Sequence, residues 1–69
     1  MRLSTRNQLP ATVTSIDLGS VMAVVKVELA GGQQVTASIT KDAVEELDLA
    51  VGKAVTVLVK STDVTLGVE

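Results

Sequence analysis

The sequence predicts an all-β domain with one short helix, and three observations carry that reading. Apolar side chains recur at every second position in several separate stretches, the period of a half-buried strand. Paired glycines, Gly31-Gly32, separate two of those stretches and allow the positive φ of a tight hairpin turn. Only one segment, around Ala43, Val44 and Leu47, spaces its apolar residues as a helix does.

Taken in order, the polar N-terminal segment ends at Pro10, and Ala11 to Asp17 alternates as a first strand, with Val13 on the face opposite to Thr12, Thr14 and Ile16. Leu18-Gly19-Ser20 supplies a turn. Val21, Ala23, Val25, Val27 and Leu29 then share one face of a long second strand, whose other face carries Met22, Val24, Lys26 and Glu28. That second face is expected to be covered at its start and wet at its end. After the glycine hairpin, Gln33 to Ile39 forms a third strand with Val35, Ala37 and Ile39 inward. Thr40 breaks the alternation as a hydroxyl N-cap with Asp42 close behind it, so a helix of about two turns runs over residues 41–47. Lys53 to Lys60 gives a fourth strand with Val55, Val57 and Val59 on one face, and Val64, Leu66 and Val68 give a short fifth. A helix between the third and fourth of five strands is the arrangement of an OB-fold-like barrel. Residues 1–69 make a single domain, without repeat or linker.

Size and composition narrow the function. A 69-residue core barely offsets the entropy of ordering the chain, and with no Cys and no His neither disulfides nor a tetrahedral zinc site can reinforce it. Assembly with copies of itself is the remaining route. Hydrophobic residues reach 46% with no aromatic residue, so the apolar mass is Val, Ala, Leu and Ile, able to form a thin core shared between subunits. Without imidazole or thiol the commonest catalytic groups are missing, and no enzyme is expected. A net charge of -2 and the lack of stacking side chains disfavour nucleic acid. No run approaches a membrane span and Met1-Arg2-Leu3-Ser4 does not open a signal peptide, so a cytoplasmic location is expected.

Charge is uneven along the chain. Residues 1–16 hold Arg2 and Arg6 with no acid, whereas residues 41–48 set Lys41 against Asp42, Glu45, Glu46 and Asp48. These carboxylates lack the spacing of a calcium loop and serve to keep one helix face in water. Three places can hold an anion. Ser4-Thr5-Arg6-Asn7-Gln8 concentrates two hydroxyls, a guanidinium and two amides, donors of the kind a tetrahedral oxyanion needs from several directions. The competing reading is a solvated arm, since termini are commonly polar. Lys60-Ser61-Thr62-Asp63 adds a cation and hydroxyls at the end of the fourth strand, where Thr62 and Asp63 also serve as ordinary turn residues. Thr40 marks a helix start with unpaired N–H groups, most of which elsewhere meet only their own cap.

Ser4-Thr5-Arg6-Asn7-Gln8-Leu9, Gly31-Gly32, Val44-Glu45-Glu46-Leu47 and Lys60-Ser61-Thr62-Asp63-Val64 together resemble the molbindins, small Mop-type molybdate-binding proteins built from one TOBE domain. The resemblance covers essentially the whole chain. It implies an OB-like fold, a homohexamer arranged as a trimer of dimers, and molybdate or tungstate held between subunits for storage or homeostasis. No cofactor and no directly coordinated metal is implied, because the metal arrives as an oxyanion held through its oxygens. Ser4, Thr5 and Arg6 match the family's Ser-Ala-Arg run, Lys60 and Ser61 its Lys-Ser pair, and Thr40 a hydroxyl contributed by the neighbouring subunit. Arg6 and Lys60 then neutralise the dianion, the Ser4, Thr40 and Ser61 hydroxyls fix its oxygens, and the N–H of Thr5 or Ser61 adds a backbone donor. Thr5 stands where the family usually has Ala, and Ala43 where several relatives have Ser, which removes one hydroxyl from the expected set. An oligomerising OB-fold adaptor without a small ligand is the alternative, and a nucleic-acid-binding OB domain a more distant one.

Overall fold

The strands form where alternation meets a neighbour to pair with. A computed structural model describes all 69 residues, in the order β1 (Asn7–Leu18), β2 (Met22–Leu29), β3 (Gln34–Thr40), α1 (Lys41–Glu46), β4 (Ala54–Val59) and a 3-10 turn over Ser61–Asp63. The four strands make one antiparallel sheet in the order β3-β2-β1-β4, curled into a half-barrel. Ala23, Val25 and Val27 of β2 are buried, as their shared face predicts, and meet Ala11 and Val13 of β1 and Val44 of α1 in the core. Val35 and Ile39 of β3 and Val55 and Val57 of β4 pack against that cluster from either side. Val13, 1% exposed, is the most enclosed of the larger side chains. Full burial of such a valine stabilises by about 1.5–3 kcal/mol.

β1 departs from simple alternation in two ways. Its pairing with β2 shifts between Val13 and Ser15, so Thr14 is an extra residue and the strand carries a β-bulge. The Thr14 hydroxyl donates to the Lys26 carbonyl at 3.1 Å. The bulge reverses the parity of everything after it, and Ile16, expected opposite to Val13, packs against the same core. The strand also begins at Asn7 rather than Ala11, running through Pro10. Proline is tolerated there because pairing with β2 starts only at Ala11, leaving β4 alone beside that stretch.

The glycine hairpin forms as predicted. Gly32 takes φ 90° and its N–H donates to the Leu29 carbonyl at 2.9 Å. The Thr40 hydroxyl accepts from the Ala43 N–H at 3.0 Å and caps α1. At the other end of α1, Lys53 Nζ donates to the carbonyls of Leu47 at 2.7 Å and Asp48 at 3.1 Å, placing a cation on groups the helix leaves unpaired. Gly52, at φ 93°, donates to the Val13 carbonyl, and Val13 in turn donates to the Lys53 carbonyl. These bonds lead the chain from the helix into β4.

The expected fifth strand is absent from the single chain. Val64, Leu66 and Val68 follow the 3-10 turn without strand pairing and are exposed, Leu66 at 95% and Val68 at 98%. Alternation specifies two faces but supplies no neighbour, and a strand needs an edge to bond to. With only four strands, β3 and β4 remain the free edges of the half-barrel. Between them lies an apolar cleft of about 230 Å³, lined by Val35, Ile39, Leu47, Leu49, Val55 and Val57 among others. The apolar start of the outer face of β2, Met22 and Val24, is exposed rather than covered.

Candidate functional site

The candidate site follows from how β1 and β4 pair. Their antiparallel ladder ends with Asn7 opposite Val59, so the residues one step further out are Arg6 on one side and Lys60 on the other. The ladder therefore carries the Ser4-Thr5-Arg6 run to the Lys60-Ser61 pair, although 54 positions separate Arg6 from Lys60 in sequence (60 − 6). Ser4, Arg6, Lys60 and Ser61 are exposed and Thr5 is half-buried. Setting two cations beside each other across a strand pair is unfavourable unless an anion answers them.

The local hydrogen bonds leave this cluster's donors free. The chain's side-chain hydrogen bonds involve Asn7, Gln8, Thr14, Thr40 and Lys53, and none engages the side chains of Ser4, Arg6, Lys60 or Ser61. Lys60 caps the 3-10 turn, whose closing bonds run from the Asp63 N–H to the Lys60 carbonyl at 2.9 Å and from Val64 to Ser61. Neither bond occupies the N–H groups of Ser61 and Thr62. One guanidinium, one ammonium, several hydroxyls and backbone N–H groups thus gather at one end of the sheet. Such a set suits a small tetrahedral oxyanion: cations supply charge, and short donors supply direction.

Thr40 is not part of this cluster within one chain. It ends β3 opposite Met22, and the neighbouring Ala23 pairs with Leu18, at the far end of β1 from Asn7. At about 3.3 Å per residue, the 12-residue β1 that separates these two ends extends over at most about 36 Å, on a molecule whose longest dimension is 37 Å. A site that uses all six expected residues therefore requires a second copy of the chain. The Thr40 hydroxyl already accepts from Ala43, and its own proton remains available to donate.

The two amides counted among the candidate anion donors of the N-terminal run make backbone contacts beside the cluster instead. Asn7 Nδ2 donates to the Val59 carbonyl at 2.9 Å, and Gln8 Nε2 donates to the Thr5 carbonyl at 2.8 Å. Both amides stand in the polar N-terminal run, but composition alone does not say which backbone groups they hold.

Residues 3–66 match the TOBE domain family. A probable molybdenum-pterin-binding protein of Haemophilus influenzae is 44% identical over 69 residues, covering the whole of both chains. Among solved structures, a molybdate-binding protein from Sporomusa ovata superposes with a TM-score of 0.90 at 44% identity, over 96% of this chain and 97% of that one. The cytoplasmic molybdate-binding protein ModG, with molybdate bound, gives a TM-score of 0.95 at 43% identity, over all of this chain and 49% of that one.

Proposed function

The chain belongs to the TOBE-domain family, in its single-domain Mop or molbindin branch, and on that premise we propose that it binds molybdate as an intact oxyanion. One observation carries the reading: the β1–β4 ladder ends at Asn7 opposite Val59, so Arg6 and Lys60 are the next residue on each strand, with Ser4, Thr5 and Ser61 adjoining them in sequence. Two positive charges match the dianion, and the hydroxyls and N–H groups fix its oxygens. The net charge of -2 does not oppose this, because nearby donors outweigh distant, screened acids. Tungstate, a tetrahedral dianion of the same charge, fits the same donor set. The ligand is held by hydrogen bonds and charge, with no bond from the metal to the protein.

The site is completed between subunits of a homohexamer, with Thr40 supplied by a neighbouring copy. Support for this comes from the length of β1, which lies between Thr40 and the other five residues in one chain, and from the apolar surface left open on the monomer. Only six of 69 residues are buried, while Leu18, Val21, Met22, Leu47 and Val51 are exposed. The protein serves as a cytoplasmic store for molybdenum and not as a catalyst. A pterin is a poorer ligand than the bare oxyanion: the chain has no aromatic side chain to stack on it, and the 230 Å³ cleft has Thr56 as its one polar lining residue.

Calorimetric titration with molybdate tests this reading on the wild type and on Arg6→Ala and Lys60→Ala. Charge-assisted hydrogen bonds contribute about 1.5–3 kcal/mol, so each variant is expected to lose at least about tenfold in affinity. Size-exclusion profiles should stay the same. Equal affinity in all three proteins contradicts the site, and a ligand-free oligomer would favour an adaptor module instead.

A further inference from the structure

The two amides that follow Arg6 in sequence do more than extend β1. Asn7 Nδ2 holds the Val59 carbonyl and Gln8 Nε2 holds the Thr5 carbonyl, at 2.9 Å and 2.8 Å. A peptide unit is planar, so a carbonyl and the N–H of the next residue share one rigid plate. The residues that follow these two carbonyls are Lys60 and Arg6. Each amide therefore fixes the plate from which one of the two cations departs.

We propose that Asn7 and Gln8 are positioning residues for the oxyanion site, Asn7 aiming Lys60 and Gln8 aiming Arg6 by holding the preceding carbonyls. The inference rests on the oxyanion reading above and adds to it the device that keeps two like charges in place before the anion arrives. Without such a device, mutual repulsion favours splaying of the two cations, and the anion must supply the ordering free energy on binding. Each amide commits one of its two N–H groups to a backbone carbonyl, and the role assigned to it acts through that bond rather than through contact with the ligand. Asn7 is half-buried and joins residues 52 apart in sequence, while Gln8 is exposed and bonds only three residues back. Water competes more with the second bond, so the Asn7 contact is the stronger of the two.

The near-isosteric variants Asn7→Leu and Gln8→Met remove each donor without adding charge. Molybdate affinity, thermal midpoint and oligomeric state are measured for both, singly and combined with Lys60→Gln or Arg6→Lys. Asn7→Leu is expected to weaken molybdate binding about three- to tenfold and Gln8→Met less, the fold-changes of one hydrogen bond. In the double variants, the Asn7→Leu effect should shrink on the Lys60→Gln background but persist with Arg6→Lys, and Gln8→Met should show the opposite pattern. A general loss of stability would lower affinity equally on every background and overturn the proposal. So would unchanged affinity in Gln8→Met and Asn7→Leu while the wild type binds molybdate. A wild type that does not bind molybdate would instead refute the oxyanion reading itself.

Discussion

Side chains in this protein divide into those that hold the strand ends and those left free at them. Arg6, Lys60, Ser4 and Ser61 have no side-chain hydrogen bond within the chain, while Asn7 beside them is committed to the Val59 carbonyl. Thr40 does both: its oxygen accepts from Ala43, and its proton is free. Thr40→Val removes cap and donor together, and is expected to cost about 1 kcal/mol of stability by chemical denaturation along with a loss of molybdate affinity. Thr40→Asp keeps a cap acceptor but adds a negative charge, so it should retain stability while abolishing anion binding. Equal affinity in Thr40→Asp and wild type would remove Thr40 from the site. In the core, Val13→Ala leaves a cavity beneath both neighbouring strands and is expected to destabilise by about 2 kcal/mol. Most of the candidate residues stand out in the sequence because a cation and hydroxyls fall together in each of two short runs, Ser4-Thr5-Arg6 and Lys60-Ser61-Thr62. What the amides grip was not legible, since it depends on a register linking positions 7 and 59.

Among the elements, β2, β3, α1 and β4 lie within a residue or so of their sequence-based bounds, because each carries its own period and its own punctuation. β1 and the expected fifth strand differ, for opposite reasons. In β1, one bulged residue at Thr14 inverts the pattern, and no local signal separates a bulge from an ordinary threonine. Deletion of Thr14 leaves Val13 and Ile16 two positions apart, and so on one face of an unbroken strand, removing the bulge and the Thr14–Lys26 hydrogen bond while keeping the core set. The deletion variant is expected to keep a cooperative thermal transition at a lowered midpoint, and a wild-type midpoint would show that the bulge is dispensable. Gly52 has a strained alternative: a side chain at φ 93° is disfavoured even in open space, so Gly52→Ala should destabilise by about 1–2 kcal/mol. At Val64, Leu66 and Val68 the alternation is real but the segment pairs with neither free edge of the sheet, so local sequence overstates what one copy builds.

For the whole molecule, little of the apolar surface is buried within one chain. Nearly half of the residues are hydrophobic, yet only six are buried, and both edges of the sheet are free beside an apolar cleft. Composition predicts a core shared between copies, because 69 residues without Cys or His have few other means of stabilisation. Which faces meet was not legible, since exposed apolar side chains occur on the outer face of β2, near the helix and along the C-terminal segment alike. On the proposal that Thr40 comes from a neighbouring copy, ligand binding and assembly are linked. A ligand that binds only the assembled state stabilises it by mass action, by about 2.7 kcal/mol at a hundredfold excess over Kd. The central claim, a molybdate site shared between copies, is tested most directly by native mass spectrometry of the protein titrated with molybdate and, in parallel, with sulfate at matched ionic strength. The account predicts a hexamer that takes up several molybdates, with the sulfate titration measuring how far the site tells one tetrahedral dianion from another. A monomer that binds molybdate, or an oligomer indifferent to both anions, would contradict it.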